Sequence, residues 1–174
     1  MQPGRKPARR RWIVAAAGLA GLTVVAATTG RSAAPETAVE PRVTLVRVEK
    51  SARTLKLMAG DVALRTFPVA LGGNPLGHKE QEGDMRTPEG RYVLDWRNPK
   101  SGYYRSIHIS YPDEADLAPA GGDIMIHGQP NGYGGLASIL QLTDWTHGCI
   151  AVTNEHMAQI WDMVENGTPI EIDP

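Results

Sequence analysis

The 174-residue chain holds a single cysteine, Cys149, and has neither a CxxC nor an HxxxH pair. One cysteine excludes an intramolecular disulfide framework, and the missing pairs remove the usual spacing signals of a structural metal site. No internal repeat or low-complexity tract interrupts residues 42–174, and the length suffices for one domain but not comfortably for two. A basic excess is also lacking once the first 31 residues are set aside. What remains carries 12 basic and 19 acidic side chains, a net charge of −7, which argues against nucleic acid as a partner.

Those first residues are unlike the rest. Arg5, Lys6, Arg9, Arg10 and Arg11 precede an uncharged 19-residue run from Trp12 to Gly30. A positive n-region followed by an apolar h-region reads as an export signal. The run is also just long enough to span a bilayer as an uncleaved anchor, with its basic end held in the cytoplasm. The expectation is therefore an exported protein of the periplasm or cell envelope, with residues 1–31 as a signal peptide or N-terminal membrane anchor and as its only contact with a membrane. Residues 32–41, SAAPETAVEP, have the small, acidic, proline-bearing composition of a linker. The folded domain is expected over 42–174.

Within it, residues 43–50, 54–60 and 62–71 alternate apolar and polar side chains and break at Lys50-Ser51 and Gly60-Asp61, which predicts a meander of hairpins. RYVLDW, SIHISY, GGDIMIHG and TPIEI read as further strands. Two segments read as helix: the short GLASILQL from Gly135, and NEHMAQIWDMVENG, with Thr153 or Asn154 as N-cap and Gly167 as C-cap. The predicted fold is mostly β, with one or two short helices.

The cysteine sits in DWTHGCIAV, Asp144 to Val152. A thiolate is the working nucleophile, so an active cysteine needs a base, and histidine ionises nearest neutrality. His147 stands two residues before it; His127 ends the strand IMIH and is followed by Gly128, a rigid support for an exposed ring. Gly148 permits a turn whose successive N–H groups can converge on an oxyanion. Set against this, a lone cysteine is commonly a small buried hydrophobe. Export, an unpaired thiol and polar, glycine-rich flanks favour the catalytic reading. Zinc would use the same His127, His147 and Cys149, but no acidic water-activating partner is evident nearby.

IHG followed by THGCIAV resembles the signature of the L,D-transpeptidase catalytic domain, the YkuD-like family. GDMRTPEGRYVL is similar to that family's Gly-Asp-x-x-Thr-Pro-x-Gly-x-Tyr segment, and SGYYRSIHISYPDEAD and GGDIMIHG resemble the stretches leading to its first histidine; together they cover roughly Val43 to Asp173. The resemblance implies a β-sandwich-like sheet domain with Cys149 as nucleophile, His127 as base and Gly128 as the residue whose carbonyl orients the imidazole. His147 and Gly148 would line the oxyanion and substrate side, with Thr146 where the family has Ser or Thr. Two departures stand out: 18 residues separate His127 from Thr146, slightly more than usual, and Ala151 occupies a position where the family often has Asn or Arg. Tyr103, Tyr104 and Arg105 lie on a loop expected to face the cleft, and Tyr104 and Arg105 are taken as substrate contacts. GDMRTPEG, by contrast, reads as a turn-and-strand signal that builds the fold.

The implied activity is acyl transfer on peptidoglycan stem peptides. Cys149 would attack the carbonyl of the L-centre residue before a terminal D-alanine, hold the peptide as a thioester and pass it to an amine. That amine belongs to a second stem peptide or to a lysine of a wall-anchored protein, and no metal or organic cofactor is required. Two rivals are a hydrolase of the same fold, acting as carboxypeptidase or amidase, and a non-catalytic wall-binding module. The second leaves the nucleophile without a use, and no wall-binding repeat accompanies it.

Overall fold

Alternation of apolar and polar side chains drives the first three strands into a hairpin meander, because only one face of each can be buried. The computed structural model describes residues 41–112, 123–133 and 137–174. The segment 1–31 and all but the last residue of the 32–41 linker lie outside the described residues, as do the first residues of the expected GGDIMIHG strand and of the GLASILQL helix.

β1 (Leu45–Glu49), β2 (Thr54–Ala59) and β3 (Val62–Pro68) pair antiparallel in sequence order. β8 (Thr168–Asp173) joins β1 in parallel and β4 (Gly90–Asn98) antiparallel, after which come β5 (Ser106–Ile109), β6 (Met125–His127) and β7 (Ile150–Ala151). The result is one eight-stranded sheet in the order β3-β2-β1-β8-β4-β5-β6-β7. It is mostly β, as the sequence predicts.

The sheet curls on itself. Immediately after β3 the chain crosses to the far end of the strand order, where Ala70 pairs antiparallel with Ala151 and Gly72 pairs with Thr146. The expected strand over 62–71 therefore ends at Pro68, since proline has no N–H to extend the ladder, and its continuation pairs with β7 instead of β2. Val46, Val48, Leu55, Leu57, Leu94, Ile107, Ile109, Ile126, Ile150, Ile170 and Ile172 form the core lining of the curl, each at most 2% exposed. Burying a side chain of this size stabilises the fold by about 1.5–3 kcal/mol.

α2 (Asn154–Met163) presents Met157 and Ile160 to that core. Thr153 is its N-cap, accepting from the His156 N–H at 3.1 Å. The helix stops short of Gly167: Val164 is the C-cap, and the Arg97 guanidinium on β4 donates to the Trp161 and Val164 carbonyls while lying 4.3 Å from the Trp161 ring. A side chain from another strand thus satisfies carbonyls that a local glycine motif would otherwise cover. Gly167 instead turns the chain into β8, its N–H donating to the Leu94 carbonyl at 2.8 Å. α1 (Ala137–Leu140) is a single turn.

Candidate active site

Cys149 and His127 come from opposite ends of the loop that the sequence makes long, and the parallel pairing of β6 with β7 brings them to neighbouring strands. Ile126 pairs with Ile150 and His127 with Ala151, so Cys149 precedes β7 beside the start of β6. Both side chains line a cavity of about 490 Å³ whose walls include Ser101, Tyr103, Asp123, Trp145 and His147.

The His127 ring is held on several sides. Its Nδ1 lies 2.6 Å from the Gly128 carbonyl, which makes Nδ1 the protonated nitrogen and leaves the Nε2 lone pair free. Tyr103 lies against the ring at 4.5 Å and Trp145 meets it edge-on at 5.7 Å. Burial pushes the His127 pKa below the ordinary histidine value, opposed in part by the Gly128 carbonyl. At neutral pH the ring is therefore uncharged, the state a proton acceptor needs. Gly128 has its own packing reason. A Cβ there would stand 2.6 Å from Asn154 Oδ1 and 3.0 Å from the Tyr103 carbonyl. The same Asn154 Oδ1, at the start of α2, accepts the Gln129 N–H at 2.8 Å, so the helix pins the segment carrying His127.

The turn that carries Cys149 is built by polar contacts. Thr146 is buried, and its hydroxyl accepts the Gly148 N–H at 3.1 Å while donating to the Cys149 carbonyl at 2.7 Å. Gly148 has φ +128°, and a Cβ on it would meet the Arg86 carbonyl at 2.6 Å. Asp144 fixes the approach to the turn, accepting the Leu71 N–H at 2.9 Å and a forked pair from Arg53. Cys149 Sγ lies 3.7 Å from the Asp123 carbonyl. Burial raises its thiol pKa, opposed by a hydrogen bond from the Met125 backbone and by the Lys79 ammonium, and abetted by Asp123.

GDMRTPEG packs beneath this turn. The Asp84 carboxylate accepts Lys79 Nζ at 2.8 Å and the N–H groups of Glu80, Gln81 and Arg86. Although burial works against it, this set of donors holds the Asp84 carboxyl far below the usual range. Thr87, fully buried, accepts the Gly72 N–H at 3.0 Å. Lys50 Nζ bonds the Gly77 and Thr87 carbonyls and Glu89. The motif shapes the floor on which the turn carrying Cys149 rests.

The structure redistributes some of the expected roles. His127, Thr146, His147 and Cys149 all line the large cavity, but the Thr146 hydroxyl and the Gly148 N–H are committed to each other, which makes Thr146 a support of the turn. Tyr104 and Arg105 are not in the cavity lining. Tyr104 lies in the turn before β5 and takes φ +66°, leaving Tyr103 at the cavity while the Arg105 guanidinium lies 5.2 Å from the Tyr104 ring and 5.3 Å from that of Trp161. Sequence reading missed Trp145, although it directly precedes the THGC motif, and Lys79, whose burial leaves no sequence signal. Among the described residues no group of three or more His, Cys, Asp and Glu side chains is placed to hold a metal ion.

Comparison with known proteins bears on this geometry. The family model of the L,D-transpeptidase catalytic domain, YkuD, matches residues 43–172. A protein of Escherichia coli strain K12 named "Putative L,D-transpeptidase YafK" is 32% identical over 128 residues, covering 68% of this chain and 46% of its own. The chain thus spans about half the length of the curated relatives it matches. Among solved structures, the helical cell shape determining protein Pgp2 of Campylobacter jejuni superposes with a TM-score of 0.61 at 26% identity, over 76% of this chain and 48% of that one. An L,D-transpeptidase of Mycobacterium smegmatis, 18% identical with a TM-score of 0.52 over 76% of this chain and 59% of its own, shares the fold.

Proposed function

The chain belongs to the L,D-transpeptidase catalytic domain family, and from that premise we propose that it is a cysteine acyltransferase of the cell envelope acting on peptidoglycan stem peptides. The observation that carries this reading is the pairing of an uncharged, carbonyl-oriented His127, at the end of β6, with Cys149, just before the adjoining β7, at one cavity. Binding alone has no use for that arrangement.

His127 Nε2 takes the thiol proton, and the thiolate attacks the carbonyl carbon of the L-centre residue preceding a terminal D-alanine. Negative charge gathers on the carbonyl oxygen, which we assign to the N–H groups of His147 and Cys149, because the Gly148 N–H is used by Thr146. Collapse of the tetrahedral species breaks the peptide bond, and the departing D-alanine amine takes the proton back from the imidazolium. The thioester is then attacked by an acceptor amine that yields its proton to His127, and the Cys149 thiolate leaves. Gly128 acts through its carbonyl, fixing the tautomer. We propose residues 1–31 as the export signal or anchor and 32–41 as the tether for this catalytic unit.

A second cavity, of about 260 Å³, shares Cys149, Asp123 and His147 with the first. Two openings at one sulfur suit transfer, since donor and acceptor must reach the thioester from different sides. Incubating the full chain with defined tetrapeptide muropeptides, with and without an added amine, and reading product masses tests the proposal. Loss of the terminal alanine with mass gain by the amine supports it. Alanine loss with water as the sole acceptor assigns a carboxypeptidase, and no alanine loss from a folded protein overturns acyl chemistry altogether.

A further inference from the structure

Lys79 is a buried lysine that the reaction scheme above leaves without a use. Its side chain is 1% exposed, yet it stands in the wall of the smaller cavity together with Glu82, Asp123, His147 and Cys149. We propose that Lys79 is a positioning residue for the nucleophile, its buried ammonium favouring the thiolate form of Cys149 across the cavity they share. The inference rests on the reading of Cys149 as nucleophile.

A buried ammonium is costly unless its protons find acceptors, and Lys79 has two: Asp84 Oδ1 at 2.8 Å and the Gln81 carbonyl at 3.0 Å. Its counter-ion does not cancel it fully at a distance. The Asp84 carboxylate is shared among three backbone N–H groups besides Lys79, whose partial positive charges draw on the same anion. The sulfur needs such help, because burial alone raises the energy of the thiolate and the nearby Asp123 carboxylate adds to that cost. The other groups around the sulfur do not supply it. His127 is uncharged at neutral pH, Glu82 is a carboxylate, His147 is exposed on the turn, and the Arg86 guanidinium donates to the His78 carbonyl and to Glu80. Among these, Lys79 is the fixed positive charge.

A brace and a charge make opposite demands, which allows a test by sign. Iodoacetamide alkylation of the full chain is followed from pH 5.5 to 10 for wild type, Lys79→Met, Lys79→Arg and Asp84→Asn, with melting curves to establish folding. Lys79→Met is expected to alkylate about 3–10-fold more slowly at pH 7 and to reach the wild-type rate near pH 10, where the thiol ionises unaided. Lys79→Arg should restore the profile. Asp84→Asn, which removes the opposing charge, should alkylate faster than wild type at pH 7. A Lys79→Met profile that superimposes on wild type overturns the proposal, and so does a shift of Lys79→Met and Asp84→Asn in the same direction, the mark of mere loop bracing. Should Lys79→Met fail to fold, a slower Asp84→Asn overturns it and a faster one supports it. Formation of a carbapenem thioester by wild type tests the nucleophile separately, so a flat Lys79 profile with an intact adduct removes Lys79 alone.

Discussion

Two regions of the sheet are held together by different physics. In one, β1, β2 and β8 run five or six residues each with buried side chains largely in alternation with more exposed ones, and their stability comes from apolar contact. In the other, at the β7 end, β6 and β7 have three and two residues, and the turn carrying Cys149 stands on Thr146, Asp144, two close-packed glycines and Asn154. Apolar packing tolerates substitution by its breadth, whereas a polar scaffold fixes atoms within tenths of an ångström and fails when one member changes. The first region makes the fold stable; the second holds the groups to which the proposed chemistry is assigned.

If that division holds, variants should separate chemistry from stability. Cys149→Ala carries the largest chemical effect: no turnover and no carbapenem adduct by intact-protein mass spectrometry, with a melting temperature within a few degrees of wild type. A large loss of melting temperature would instead make the cysteine a packing residue. His127→Ala should lower acyl transfer by about 10²–10⁴-fold, and should slow thiol alkylation at pH 7 far more than near pH 10. Equal alkylation rates at pH 7 would remove His127 as the base.

The same histidine links the site to stability. Its folded pKa is lowered by burial, so the unfolded chain takes up a proton first as pH falls. The contribution is fully present above the ordinary histidine value and is lost as pH drops toward the lowered one. Denaturant titrations of His127→Gln should show a flatter loss between pH 7 and 5 than wild type.

Leu57→Ala, on β2 and fully buried, should cost about 2–5 kcal/mol of stability while leaving turnover per folded molecule unchanged well below the transition. A parallel fall in turnover would blur the division between the two regions. Gly148→Ala should cost less, about 1–3 kcal/mol, for a left-handed φ and contact with the Arg86 carbonyl. Yet it should weaken acyl transfer more than Leu57→Ala does, because it moves the turn that carries the sulfur.

The same contrast explains what the sequence could convey. β1 to β3, β4, β5, β8 and most of α2 are legible because their side-chain periods are local, and the IHG and THGC motifs point to the candidate site because the residues themselves are unusual. Where the outcome depended on a partner far along the chain, the reading strayed. Arg97 ends α2 before Gly167 from another strand, β3 stops at Pro68 because Ala70 has a partner across the sheet, and φ +66° at Tyr104 leaves Tyr103, and not Tyr104 or Arg105, at the cavity. Lys79 looks like any surface lysine until the fold closes over it.

The double bridge between Ala70 and Ala151, with N–H to carbonyl distances of 2.9 and 2.8 Å, has a consequence for fraying. Ala151 is clasped on both flanks, by β6 and by the chain beyond β3, so the two-residue strand that follows Cys149 is held on either side there. β3, over three times as long, pairs with β2 alone among the described residues. Amide hydrogen exchange should therefore invert the order that strand length suggests: the Ala151 proton outlasts the outward-facing protons of β3, and the support of the sulfur stays shut while the opposite margin of the sheet breathes.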